Sequence, residues 1–426
     1  MKSKGLWAIV FQVVFGLAFV SHLGFPDIAK AEGKPIIIGC PVSMSVFYGP
    51  DCRDAQLLAI KEINAAGGVK VGSETRPLKL VVGDTRAMEP GVPVTDALLA
   101  IERLITEKKA DFLIGGPVRS EASFAARDMV NNYKKIWIVT TGTYSPQFGD
   151  GAKYPFIFRL TGDVSFEIKN VHMSMLKHFR NTFNFNKIYI MVQDVKHARA
   201  AGSAVAKLAA NEGFEILGED VYPTGTTDFS MGLLSAKNKG ANILFIWMDM
   251  PELTILAKQY YDFKIPALPF GYMGPAEHVG WWSSTEKKGE YFIVDLLNAG
   301  NAPSNATPWT MKFVEAFTKE YGREPDAYGI STSYMGVYLL KNAIELAGTL
   351  DADLVRKALK ETDLLGVYGR MRFNENNEII FAPDFNPQDG AVSTIVQWQN
   401  GKRVTIFPET IKMGEIMLPS WFHKRQ

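Results

Sequence analysis

The sequence predicts an α/β protein built from two doubly wound, Rossmann-like lobes in tandem. Three observations lead there. Short continuous apolar runs alternate with helical patterns, each pair taking about 30 residues, as in a right-handed parallel series with helices on both faces. The alternation restarts after Arg159. A stretch rich in Gly, Pro, Ser and Asn, residues 300–308, then leads to further helices and a β-rich end.

The chain opens with Lys2 and Lys4, followed by an apolar run from Leu6 to Val20 that is broken by Gln12 and Gly16. That run is short of the ~20 residues that span a bilayer. Ala29-Lys30-Ala31 supplies an A-x-A cleavage site. Basic start, short apolar middle and small-residue end read as a signal peptide over residues 1–31, with a membrane anchor as the alternative. Cleavage there removes three lysines and one aspartate, leaving 395 residues and taking the formal charge from +1 to −1. Ile37-Ile38-Gly39-Cys40 has the look of a lipoprotein cleavage box, but Asp27, Lys30, Glu32 and Lys34 separate it from the apolar run. It reads better as part of a first strand.

That strand, Ile36–Cys40, is a continuous apolar run suited to burial on both faces. Asp54–Ala65 carries Leu57, Leu58, Ile60 and Ile63 at near-helical spacing and stops at Gly67-Gly68. Strands follow at Leu78–Val82, Phe112–Ile114 and Ile136–Val139, and helices at Val94–Glu107 and Glu121–Asn132. In the second lobe the expected helices are Phe166–Phe179, Ala200–Glu212, Phe229–Lys239 and Glu252–Tyr261. The expected strands are Lys187–Val192, Glu215–Tyr222 and Ile243–Met248. Helices Thr310–Tyr321, Tyr328–Leu346 and Ala352–Glu361 come next, then strands Gly369–Phe373, Ile379–Phe381, Ser393–Trp398 and Arg403–Phe407. Gln399-Asn400-Gly401 is the turn between the last two.

Composition narrows the function classes. A hydrophobic content of 47% with 21% charged residues is ordinary for a globular chain. The near-zero net charge gives no electrostatic reason to expect nucleic acid. Two cysteines are too few for a disulfide scaffold, and the six histidines include no HxxxH or HxH pair, so no metal or other cofactor is expected. Cys40 and Cys52 form a disulfide, which export permits, or remain two buried thiols; spacing alone does not decide. No G-x-S-x-G elbow, H-E-x-x-H, phosphate-binding loop or strand-linked G-x-G-x-x-G occurs, so an enzyme is not expected.

Six motifs in order give a more specific reading. They are Ala59-Ile60-Lys61-Glu62-Ile63-Asn64-Ala65-Ala66-Gly67-Gly68; Asp84 with Pro90; Ile114-Gly115-Gly116-Pro117 with Ser120-Glu121-Ala122; Phe158-Arg159; Thr227-Asp228-Phe229; and Phe317 with Tyr321-Gly322-Arg323-Glu324-Pro325. Together they resemble the periplasmic substrate-binding proteins of branched-chain amino acid (Leu/Ile/Val) ABC transporters, of the type I fold. The likeness covers nearly all of residues 34–400.

The resemblance implies two lobes joined by a three-crossing hinge, near Arg159, Asn301 and Asp389. Residues 32–158 and 302–389 would form lobe I, and residues 159–301 and 390–426 lobe II. A small carboxylate-bearing solute, such as a branched-chain or other apolar amino acid, would bind between them. Closure would trap it for delivery to membrane permease subunits by a monomeric periplasmic protein. A ligand-sensing module of the same fold is a further alternative.

By the same resemblance, Ser120 and Arg119 would face the solute carboxylate. Ser120 is alternatively a simple N-cap, and Arg119 a solvated rim residue. Thr141, Gly142 and Thr143 would hold the solute backbone through hydroxyls and close approach, or form a hydrogen-bonded turn. Tyr48, in the loop after the first strand, would pack the solute side chain, or belong to a loop packed over lobe I. Glu277 would pair with its ammonium, or be a solvated loop acid, and Trp247 and Asp249, at the end of the preceding strand, would also face the cleft. By this resemblance Ser120 and Thr143 would dock the solute on lobe I, and Glu277 would close over it.

One segment departs from the family pattern. Asp194-Val195-Lys196-His197-Ala198-Arg199-Ala200 stands where a Tyr-Gly motif is common, with His197 or Ala198 in its place. That departure keeps aromatic acids, other organic acids and amides open as alternative solutes.

Overall fold

The fold is that of a computed structural model describing residues 33–422 apart from Phe47, Pro90 and Ala327. The expected signal peptide, and the proline of the Asp84–Pro90 motif, lie outside the described residues. Among the described residues no helix is long and apolar enough to cross a membrane.

Every residue of Ile243–Met248 is buried, which is the consequence of a continuous apolar run placed between two helical layers. Its residues alternate between two cores. Ile243, Phe245 and Trp247 join one apolar cluster, while Leu244, Ile246 and Met248 join the other. The first sheet has five parallel strands in the order Leu78–Asp84, Ile36–Val42, Phe112–Ile114, Trp137–Val139 and Ile157–Arg159. The last of these includes Arg159, the residue at which the sequence reading begins the second lobe.

The second sheet has seven strands. Its parallel part runs Ile293–Asp295, Leu268–Met273, Ile243–Met248, Lys187–Gln193 and Glu215–Tyr222. Ile395–Gln399 and Lys402–Phe407 add an antiparallel edge beside Ile293–Asp295. Their turn is tight: Asn400 and Gly401 have φ of 52° and 79°, and Gln399 pairs with Lys402. Two successive left-handed residues give the hairpin turn whose twist matches the strands.

Between these two stretches of the second sheet, the chain returns to the first. Helix Ile330–Ala347 packs on helix Tyr48–Ala65. Residues 377–379 flank the edge strand: Arg159 N donates to Asn377 O (2.9 Å) and Ile379 N to Arg159 O (2.9 Å). The expected strand Ile379–Phe381 is reduced to isolated bridges, Phe373 to Ile379 and Phe381 to Ala391. The six-residue strand Leu268–Met273 receives no bounds from the sequence, its apolar run being broken by Pro269 and Gly271. Missed altogether are the hairpin Val69–Val71 with Glu74–Arg76 and the strands Ile157–Arg159, Ile293–Asp295 and Leu364–Gly366. These are three-residue elements, too short to carry a period.

The helix expected at Phe166–Phe179 runs as Val164–Phe166, a π-helical segment Glu167–His172, and Met173–Phe183. Asp163 caps its start, accepting from the Ser165 and Phe166 amides. The wider turn presents both Glu167 and His172 inward, where each is buried.

Candidate functional site

In each sheet the strand order reverses at one strand, and the carboxyl ends there open a crevice. In the first sheet that strand is Ile36–Val42, followed by Tyr48. In the second it is Lys187–Gln193, with Asp249 just past the neighbouring strand. Helix Tyr48–Ala65 begins six residues earlier than the apolar spacing suggested, so Tyr48 stands in a first helical turn and not in a loop. Gly49 is required there, because a Cβ would lie 2.1 Å from Ser43 O.

Tyr48 belongs to an aromatic cluster that draws on both sheets. Its ring centroid is 4.3 Å from that of Tyr328, which is 5.6 Å from that of Tyr144. On the other side Tyr272 is 5.1 Å from Trp247 and hydrogen-bonds Tyr48. Burial, the largest cause in each case, raises all four phenols well above their ordinary value, so they stay neutral. Tyr144, Tyr272 and Tyr328 were not picked out from the sequence. The available signal was position: Tyr144 follows Thr143, Tyr272 ends a strand, and Tyr328 precedes a helix.

Carboxylates stand against these rings. Glu277, at the end of a short helix Gly274–Glu277, is fully buried, and no side chain donates to either oxygen. Burial first, then the Asp249 and Asp295 charges, push it well above the carboxylate range, while the Tyr328 backbone amide opposes. Asp249 is also raised, mainly by desolvation, with His197 and Tyr272 working the other way. Its side chain is hemmed in by protein yet 37% exposed, as expected of a crevice wall. His197 Nε2 lies 3.3 Å from Asp249 Oδ2, and the Trp247 indole N–H donates to His197 Nδ1 at 3.3 Å. Helix Lys196–Asn211 starts before His197 and not at Ala200, which turns His197 towards Asp249.

Behind them sits a second acidic group. Asp295 accepts from the Leu297 amide (2.8 Å) and lies 2.9 Å from His172 Nε2, both side chains fully buried. Burial and the Asp295 charge raise Glu167 well above its usual range.

The residues expected on the first lobe are differently engaged. Thr143 and Ser123 share a hydrogen bond of 2.7 Å between their hydroxyls, so Ser123, not Ser120, is the serine bonded to Thr143. Thr141 donates to Gly116 O (3.2 Å), and Arg159 donates to Thr143 O and Ser145 O at 2.6 and 2.9 Å. Thr143 itself holds φ of 65°, a costly conformation for a β-branched residue. Gly142 is also left-handed, and a Cβ there would meet Val118 O at 2.1 Å. Ser120 opens helix Ser120–Asn132, while Arg119 takes the N-cap position without capping through its side chain. The Arg119 guanidinium points to Ala87 O (3.4 Å) and Glu121 (3.8 Å), on the rim.

The structure therefore brings Tyr48, Trp247, Asp249, Glu277 and His197 into one neighbourhood. The Thr143 and Thr141 hydroxyls bond to Ser123 and to Gly116 O, and Arg119 lies near Ala87 O. Cys40 and Cys52 are free thiols and not a disulfide. Both sit in one apolar pocket, where burial raises Cys40 to about 12 and Cys52 well above its usual value; Gln56 Nε2 donates to Cys40 Sγ. Trp281 is core, its indole bonded to Gly289 O at 3.0 Å. A surface hollow of about 340 Å³, lined by Thr307, Pro308, Trp309, Lys312 and Leu365, shares none of these residues.

Comparison with known proteins agrees with this fold. A family described as periplasmic binding protein matches residues 41–399. The Leu/Ile/Val-binding protein homolog 8 of Brucella abortus (strain 2308) is 23% identical over 395 residues, covering 88% of this chain and 91% of that one. A branched-chain amino acid transporter substrate binding protein of Streptococcus pneumoniae, solved with isoleucine, superposes with a TM-score of 0.69 at 19% identity, over 90% of this chain and 100% of that one. A solute binding protein from R. palustris, solved with benzoate, gives 0.65 at 15% identity, over 87% and 95%.

Proposed function

Because the chain belongs to the periplasmic binding protein family, the substrate-binding proteins of ABC transporters and not enzymes, we propose that it captures an amino-acid-like solute for delivery to an ABC permease. The family places it in the periplasm; export would follow from a signal peptide over residues 1–31. Lobe I would comprise residues 32–158 and 302–389, and lobe II residues 159–301 and 390–426. The solute would lie between them, among Tyr48, Tyr144, Tyr272, Tyr328 and Trp247.

One observation carries this reading. Glu277 is a fully buried carboxylate with no cation at salt-bridge distance among the described residues, and it lies near enough to Tyr48, Tyr144, Tyr272 and Tyr328 for its charge to raise their phenols. A buried carboxylate calls for a cation or a proton, and a solute ammonium supplies the cation. The apolar part of the solute would then fill the aromatic wall. An organic acid without an amine meets repulsion from both Glu277 and Asp249.

Thermal unfolding against a panel of amino acids, aromatic acids and amides tests the reading. A solute at about 1,000 times its dissociation constant adds about 4 kcal/mol, a shift of several degrees. A shift with leucine, isoleucine or valine that is lost in Glu277→Gln supports it. A shift with aromatic acids alone, untouched by that substitution, defeats the ammonium assignment.

A further inference from the structure

The loop of residues 323–326 follows helix Pro308–Tyr321 and bonds in two directions. On one side it is tied into the expected first lobe. Arg323 pairs with Asp51, in the helix that opens with Tyr48, and lies 3.6 Å from Asp54. Arg323 also donates to Asp326 Oδ1 at 3.1 Å. On the other side the loop accepts from the expected second lobe. The Val279 amide donates to Asp326 Oδ2 at 3.0 Å, and His278 Nε2 lies 3.4 Å from the same oxygen. Arg403, on the edge strand Lys402–Phe407, donates to Pro325 O at 2.9 Å and to Glu324 at 3.3 Å. Asp326 and Arg403 are both buried, where bonds to a charged group are strong.

These contacts converge on the segment that carries Glu277. Val279 is two residues beyond it, and Arg403 donates to Glu277 O at 3.1 Å. Arg403 also donates to Asn301 O at 3.2 Å, beside an expected crossing, so its bonds belong to the pivot. Asp326 and Val279 lie at no crossing. We infer that Asp326 is a positioning residue: through the Val279 amide it seats the Glu277 segment against the first lobe and holds the proposed cleft closed. The inference rests on the lobe division proposed above and names the contact that fastens it.

Val279 offers a clean way to remove the bond. It is the second residue of a turn in which Trp281 N donates to His278 O at 2.9 Å, a position that suits proline. His278 has φ of −78° and ψ of 138°, the extended backbone a following proline demands. Val279→Pro therefore deletes the donor with little strain, and Asp326→Ala deletes the acceptor.

Small-angle X-ray scattering of the original chain and both variants, without added solute, reads the outcome, with circular dichroism as the check on folding. Losing a bond to a buried carboxylate should lower the closed-to-open ratio about tenfold, so the radius of gyration should rise in both variants. Asp51→Asn breaks a bond inside the first lobe alone, so it should change the unfolding midpoint and leave the radius as it is. A purely structural role would move stability in all three variants and the radius in none. An unchanged radius in both Val279→Pro and Asp326→Ala overturns the inference, and Val279→Pro decides alone if Asp326→Ala fails to fold. Leucine-induced stabilisation with unchanged radii strikes the fastening role and leaves solute capture standing. Larger radii without stabilisation by any solute of the panel support the fastening role and count against the amino-acid reading.

Discussion

The Thr143 hydroxyl lies 2.7 Å from the Ser123 hydroxyl, and neither residue is exposed. A residue placed by sequence resemblance against a solute is thus tied into its own lobe. Ser123→Ala leaves Thr143 Oγ1 without this partner, which costs about 1–2 kcal/mol. Urea unfolding should show that loss, and the double variant Ser123→Ala/Thr143→Val should lose less than the sum of the two single changes. Strict additivity would mean the hydroxyls are not coupled.

Gly142→Ala should be more damaging than an ordinary surface change. Its φ is +61°, and the new Cβ would collide with Val118 O and Cα at 2.1 and 2.5 Å. Left-handed strain and displaced backbone together predict a loss of several kcal/mol or failure to fold. A midpoint within one or two degrees of the unsubstituted protein counts against the placement of this loop.

Glu277→Gln should stabilise the protein most at alkaline pH. The folded carboxyl is pushed far above its unfolded value by burial and by Asp249. Its contribution is therefore present at low pH and lost as pH rises through the folded value. Unfolding midpoints at pH 5 and pH 8 should show the variant gaining on the original as pH increases. An equal difference at both values would defeat this account.

Asp51 predicts a second, separable pH effect. Burial, then the Asp326 charge, raise it to about 7 although Arg323 pairs with it. A shift of this size corresponds to at most about 4 kcal/mol, fully present below about pH 4 and lost as pH rises through about 7. Chemical denaturation between pH 5 and 8 should fall more steeply for the original chain than for Asp51→Asn. Parallel curves would rule Asp51 out as the source.

The two thiols give a fifth check. Burial raises both far above the range where thiolate forms, so a thiol reagent should react slowly with the folded protein. Denaturation without reductant should release two reactive thiols per chain. Finding none would establish the bridge that the structure lacks.

Much of the fold was legible because its signals are local. Runs such as Ile243–Met248 and the Gly67-Gly68 stop need only a few neighbouring residues to declare themselves. Asn400-Gly401 likewise marks its turn by itself. Helix starts were less legible. The helices beginning at Tyr48 and Lys196 open with residues whose apolar spacing is imperfect, and packing, not propensity, extends them. Of the candidate site, Tyr48 and Glu277 were reached through the family resemblance and Trp247 and Asp249 by position at a strand end, while Tyr144, Tyr272 and Tyr328 were not reached.

The sequence by itself determined two runs of βα units, the motifs shared with a family, and the strand ends at which a solute would bind. Period and turn chemistry act over a few residues, so they survive without coordinates. Only the tertiary structure decided which polar groups are spent on one another. Ser123 and Thr143 are 20 residues apart, Trp247 and His197 are 50, and His172 and Asp295 are 123. Hydrogen bonds and charges depend on distance in space, and sequence spacing does not encode distances between lobes. That is why the carboxylates facing the tyrosines, and the absence of side-chain cations at salt-bridge distance from Glu277 among the described residues, came from the fold alone.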